Sequence, residues 1–328
     1  MIPQIYITDY LSTAAAQPVE MIQALVARCP LLLNAEWTLG ALPPMKALFA
    51  QCVEEDLNQA VSPVTAILKA AQVGPALDAA FCLLPVHLGM RRDTFSLQAV
   101  VPLSAHVYAA LTERLSAHFA DVFVIHPDAA HRYWWITPLK PVDALCQWPQ
   151  DCLYQQAFQW QPQGPDAALV RQWTNEMQML LHQLAGASAM EDWPQTLNSL
   201  WFASVGEMPR WRQSLPTLAG QGHVLDGLKA SQLPGIQPLS LAALLAHTHP
   251  RGVVWVADDW QTLEWKALSS ALETGQVSAL TLVLPFAERS VAVHYKKQPR
   301  WQFWRKTPSL DILLQQLETK LTATQSSV

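Results

Sequence analysis

From residue 252 onward, runs of consecutive apolar residues alternate with helical patterns, and this rhythm constrains the fold more than any other feature of the chain. Residues 252–256 read as a strand, 260–274 as a helix, 279–284 and 291–295 as further strands, and about 309–323 as a final amphipathic helix. A strand with no polar side must be covered on both faces, which is the usual situation of parallel strands between helices. Residues 4–8 read as one more short strand at the start of the chain. The expected fold is therefore α/β, with a mostly parallel sheet covered by helices.

The middle of the chain has a different texture. A helix over 19–28 stops at Pro30, and 31–80 is Ala/Leu-rich and mostly helical, broken by Pro43-Pro44, Pro63 and Gly74-Pro75. Residues 81–88 and 95–101 read as a hairpin turning at Arg91-Arg92-Asp93, followed by a helix that Ser104 caps and that runs to about Phe119. Two strands, 123–125 and 132–136, flank the polar turn His126-Pro-Asp128. A Pro- and Gln-rich connection over 138–165, a helix over 166–185, a strand over 199–203 and a loop over 206–222 complete this part. The expected division is an α/β core from residues 1–80 and 225–328, with an inserted α+β domain over 81–224.

Composition narrows the function classes. The chain is 51% apolar and 14% charged, against about 25% charged in ordinary chains. Its fourteen tryptophans fit a buried core or an aromatic interface. A net charge of −5 argues against a general nucleic-acid binder, whose footprint is basic. Five cysteines form no Cys-x-x-Cys pair, and the first residues lack the basic and long apolar regions of a secretory signal, so reduced thiols in a cytoplasm are expected. No stretch of about 18 apolar residues marks a membrane helix.

Three groups of residues carry candidate chemistry. The first is Asn175, Glu176, Gln178 and His182 on the helix 166–185, with Arg132 and Asn198 from the neighbouring strands. Positions 175, 178 and 182 share one helical face. They read either as a ligand cluster with Arg132 as its anion partner, or as a buried hydrogen-bond network that docks the helix on the strands, and the network is the favoured reading. His87 and His118 read as core histidines. The second group is 296–306, with five cations and three aromatics in eleven residues. Lys296, Lys297, Arg300, Trp301, Trp304 and Arg305 suit a protein partner or single-stranded nucleic acid. The blander reading has Trp301 and Trp304 plugging a core while the cations reach water.

The third group is a metal-ligand alternative: Asp9, Asp258 and Asp259 after strands, and His247-x-His249, whose rings share a face if extended. Against it, Asp258-Asp259 reads as the cap of the helix near Trp260, with the two histidines in a solvated loop. No Gly-x-Ser-x-Gly, GxxxxGK[ST] or GxGxxG pattern occurs. Gly222-His-Val-Leu-Asp-Gly227 has glycines but no strand leading into it, so no phosphate role is expected.

Several words of the chain resemble the RpfE-type regulatory proteins of proteobacteria, a phosphoglycerate-mutase-like group. They are Pro85-Val-His-Leu88, His118-Phe119, Arg132-Tyr-Trp134, Asn175-Glu-x-Gln-Met-Leu-Leu-His182, Asn198-Ser-Leu-Trp201 and Trp301-Gln-Phe-Trp-Arg305. The order and spacing match over roughly 80–305. Asn198–Pro209 and Leu225-Asp-Gly-Leu228 also resemble the archaeal-type cofactor-independent phosphoglycerate mutases of the alkaline-phosphatase superfamily. That likeness implies an alkaline-phosphatase-like α/β domain carrying an insertion, here in degenerate form. The chain departs from it at Ser204-Val-Gly-Glu-Met-Pro209, where a Trp-Gly-x-Gly-like turn is expected.

Enzymes of that superfamily clamp phosphoryl oxygens between two metals, held by recurrent Asp-x-x-x-His and Asp-His pairs. Neither pairing occurs in this chain. The expected function is thus a catalytically silent, bacterial, regulatory or scaffold protein that acts through protein–protein contacts and needs no cofactor. A metal-dependent phosphomutase or phosphatase with unorthodox ligands is one alternative. A nucleic-acid-associated accessory protein using 296–306 is the other, and proteins of the resembled group are often encoded beside a single-strand DNA exonuclease, which implies that nuclease as a partner.

Overall fold

The computed structural model describes residues 2–11, 17–54, 62–72, 78–91, 94–156, 159–186, 192–238, 240–246, 253–297 and 309–325. The fold is mixed α/β, and the chain divides into two compact units. The first unit comprises Met1–Tyr10, Ala14–Glu54 and Arg210–Val328; the second comprises Leu11–Thr13 and Glu55–Pro209.

The first unit is built on a six-stranded sheet. Its strands are β1 (Gln4–Ile7), β2 (Glu36–Leu39), β8 (Thr217–Gln221), β9 (Val253–Ala257), β10 (Ala279–Phe286) and β11 (Arg289–Lys296), in the order β2-β11-β10-β1-β9-β8. The four strands from β10 to β8 are parallel, while β11 runs antiparallel to both its neighbours, β10 and the edge strand β2. Every residue of β9 is buried, as a strand covered on both faces requires. Ile5, Ile7, Trp255 and Ala257 join one core with α1 (Pro18–Arg28), α7 (Leu241–Ala246), α8 (Trp265–Thr274) and α9 (Leu310–Gln325). Tyr6 points the other way, and its hydroxyl accepts a 2.6 Å bond from Gln51 of α2 (Pro44–Cys52).

Local chemistry sets the ends of these helices. Pro18 opens α1 with its ring already at a helical φ, Glu20 lies in its first turn and Arg28 in its last, which suits the helix dipole. Gly275 ends α8 in the left-handed region at φ 77°. A Cβ there would collide with Lys297 Nζ, so glycine admits a cation to the carbonyl end of the helix.

The second unit carries an antiparallel sheet. It contains β3 (Phe81–Arg91), β4 (Thr94–Val100), β5 (Phe123–Pro127), β6 (Trp134–Pro138) and β7 (Ser199–Ser204), ordered β4-β3-β6-β5 with β7 also paired to β3. Two helices, α4 (Ala105–His118) and α5 (Ala167–Gly186), cover one face. Ser104 caps α4 by accepting from Val107 N–H. From α5, Val170, Trp173, Met177 and Leu181 meet Phe81, Phe123 and Phe202 in a single core.

Several sequence expectations change here. β2 lies inside a segment expected to be mostly helical, and β8 lies inside an expected loop, so a strand does lead into Gly222. Residues 260–262 form a 3-10 turn that precedes α8 instead of its first turn. His118 is exposed against the edge of Phe119, and His87 is half-buried with Nδ1 2.8 Å from the Thr196 carbonyl, so neither is a core histidine. Among the described residues, no helix is long and apolar enough to cross a membrane.

Candidate functional site

Two places combine side chains with room or with the carboxyl ends of strands. The first is a cleft of about 440 Å³ within the second unit. One wall is a stripe of α5: Arg171, Thr174, Asn175 and Gln178, at spacings that place them on one helical face. Leu88 and Phe95 of the β3–β4 hairpin also line it, as do Trp160 and Trp201. The two indoles meet at 4.6 Å between centroids with their planes 52° apart.

The polar cluster expected from the sequence is only partly assembled here. Asn175, Gln178 and Asn198 line the cleft, but two of them hold the fold together. Asn198 mimics a strand residue: its Oδ1 accepts from Leu88 N–H and its Nδ2 donates to Leu88 O, each at 2.8 Å. Gln178 Nε2 donates to Ser199 Oγ at 3.0 Å and ties α5 to β7. The helix face bearing this cluster is not buried, because the apolar stripe of α5 takes the core side and leaves Asn175 and His182 exposed. Glu176 does not line the cleft and accepts from Gln172 Nε2 at 2.9 Å. Arg132 is not its anion partner, because its Nε and Nη2 donate to both oxygens of the buried Asp128 at 2.8 and 2.9 Å.

The second place is the carboxyl edge of the parallel strands in the first unit, where α/β proteins usually bind ligands. Asp9 follows β1 and is buried, and its N–H donates to the Asp258 carbonyl at 3.0 Å. The Asp258 carboxylate accepts from the His223 and Val224 N–H groups, the first donors of α6 (His223–Ala230). Gly222, at φ 109°, makes this possible, because a Cβ there would occupy the carboxylate's own space. Asp259 accepts from Gln261 N–H at 2.9 Å and caps the 3-10 turn at Trp260. Asp258 therefore caps a different helix from the one its sequence position suggested.

His247 and His249 lie outside the described residues, and so do Arg300, Trp301, Trp304 and Arg305 of the basic segment. Lys296 is exposed, and Lys297 extends over Gly275. Among the described residues, no three His, Cys, Asp or Glu side chains are grouped to hold a metal ion.

The five cysteines are buried. Burial raises Cys52 to about 12 and Cys146, which touches the cleft, also to about 12, while Cys82 is pushed well above its ordinary value. A thiol held neutral is a poor nucleophile, so the cleft offers no activated sulfur. Trp160 and Arg171 escaped the sequence reading. The only signal for Arg171 was its four-residue spacing from Asn175, and Trp160 stands in a connection with no periodicity.

No family profile matches the chain, and no curated protein matches it. A solved structure, the cofactor-independent phosphoglycerate mutase from Thermoplasma acidophilum DSM 1728, aligns with 81% of this chain and 80% of that one, at 11% identity and a TM-score of 0.31.

Proposed function

We propose that this protein acts by recognition instead of turnover, as a regulatory or scaffold protein of the RpfE-type, phosphoglycerate-mutase-like kind. The observation that carries the reading is the use made of Asp258. Its carboxylate is bound by two backbone N–H groups at the start of α6, so it serves as a fixed counter-charge to a helix terminus. Each oxygen of that carboxylate is thereby committed to a backbone N–H. Asp259 is likewise engaged as a cap. Asp258 and Asp259 thus have structural employment, and the second unit offers an aromatic-lined cleft with Arg171 on one wall, suited to binding.

The protein partner in this reading is a proposal drawn from the resemblance, with a single-strand DNA exonuclease as its first candidate. The test is a phosphatase and mutase screen of the full chain with added manganese, zinc and magnesium, run beside a pull-down with that nuclease. The expected result is turnover at the level of a heat-killed control, with the nuclease retained. Metal-dependent turnover that disappears in Asp258→Asn would overturn the reading, because Asn keeps one of the two accepting oxygens of the cap but weakens any metal site.

A further inference from the structure

We propose that the cleft in the second unit is a binding site for a small aromatic carboxylate. Its volume of about 440 Å³ falls in the range of small-molecule sites. The angled pair of Trp160 and Trp201 lines the cleft, and Phe95, 51% exposed, stands as a further ring on the lining. Both indole N–H groups are already bonded inward, Trp160 to the Gln155 carbonyl at 3.2 Å and Trp201 to the Gln147 carbonyl at 2.8 Å. These rings therefore present only faces and edges, which suit a flat apolar group.

The polar side of the cleft has a sign. Asn198, Gln178 and Thr174 are bonded to Leu88, Ser199 and the Val170 carbonyl. That leaves the Arg171 guanidinium and the Asn175 amide, which have no partner among the described residues and stand one helical turn apart. The nearby acids on this helix are engaged, Glu176 by Gln172 and Asp166 by the Asp143 N–H. A forked cation beside an amide N–H matches a planar anion with two acceptors, which is a carboxylate. An aromatic acid meets both halves of the cleft, whereas a phosphate would leave the indoles unfilled. This site does not depend on whether the protein is catalytically silent.

The experiment uses the full chain and four probes: indole-3-acetate, phenylacetate, neutral indole and acetate, each titrated by calorimetry. The aromatic acids should bind one per chain, roughly tenfold or more tighter than indole, with acetate undetected. Arg171→Gln, at an exposed position, should bring indole-3-acetate down to the affinity of indole, and Trp160→Ala should weaken both. Thermal melts of the variants check that each remains folded. No saturable binding of any probe, or an unchanged affinity in Arg171→Gln, overturns the proposal. So does a peptide ending in Phe that binds more than about tenfold tighter than phenylacetate, since that would make a polypeptide end the occupant.

Discussion

Asp258 shows how a single side chain can look like a catalytic remnant and act as a structural one. It follows β9, where ligand-binding carboxylates of α/β folds are found, yet it joins that strand end to the first turn of α6. Asp258→Ala should cost about 1–2 kcal/mol, read as a lower midpoint in urea unfolding. Asp258→Asn should cost less, because the amide oxygen still accepts. Equal losses in the two variants would show that the charge, not the cap, is what matters. The cysteines give a prediction of their own. A thiol whose pKa is higher folded than unfolded favours the native state below its unfolded pKa, and that advantage drains away as pH rises through the folded value. For Cys52 and Cys146 the window runs from about 8.5, the ordinary thiol value, to about 12. Unfolding free energy should therefore fall across that range, and Cys52→Ala should lessen the slope.

Among the elements, the clearest coupling is between α4 and the β5–β6 turn. Tyr108 stacks on Trp134 at 4.6 Å with planes 2° apart, donates its hydroxyl to the Tyr133 carbonyl at 2.7 Å, and accepts from Asp128 N–H at 2.8 Å. Removing one oxygen withdraws a partner from two backbone groups that still bond each other, Asp128 N–H to the Tyr133 carbonyl at 3.2 Å, so Tyr108→Phe should destabilise by about 1 kcal/mol in an equilibrium unfolding curve. A value within a few tenths of zero would mean that the backbone finds substitutes. The sequence announced both ends of this arrangement, through Ser104 ahead of α4 and the polar turn at Asp128. It concealed β2 and β8 for physical reasons. Glu36-Trp-Thr-Leu39 is four residues long with an exposed first position, so its pairing comes from β11 and not from its own pattern. Thr217-Leu-Ala-Gly-Gln221 includes a glycine, pressed against the Val256 backbone, which sequence patterns read as a loop. The apolar spacing of 166–185 matches α5, whereas the expected burial of its polar face does not hold. Its apolar positions alone already satisfy the sheet, so Asn175 and His182 were left for water. What periodicity could not supply was the partner set: Asn198 bonds a backbone rather than a ligand, and Arg132 bonds Asp128.

For the whole molecule, the decisive feature is where the chain leaves the first unit and returns to it. Glu54 N–H donates to the Arg210 carbonyl at 3.0 Å, Val53 and Trp211 form an antiparallel bridge, and Arg212 donates its backbone N–H to the Cys52 carbonyl at 2.9 Å and its Nε to the Val53 carbonyl at 2.7 Å. The two ends of the 55–209 segment thus emerge side by side, held by bonds that belong to the first unit itself. A segment whose ends are adjacent costs its host little loop-closure entropy, and the dependence on its length is shallow. The segment also carries a core of its own, in which Phe81, Trp134, Trp173 and Phe202 are buried together. Replacing 55–209 by a short Gly/Ser linker should therefore leave the first unit folded, with a cooperative melt and the near-ultraviolet signal of Trp37, Trp255 and Trp265, which are buried within it. The excised segment, expressed alone, should melt cooperatively and retain the affinity of its cleft for indole-3-acetate. A linker version that is molten, or a segment that fails to fold, would show that the bonds at 52–54 and 210–212 do not suffice and that each unit needs the other to reach its structure.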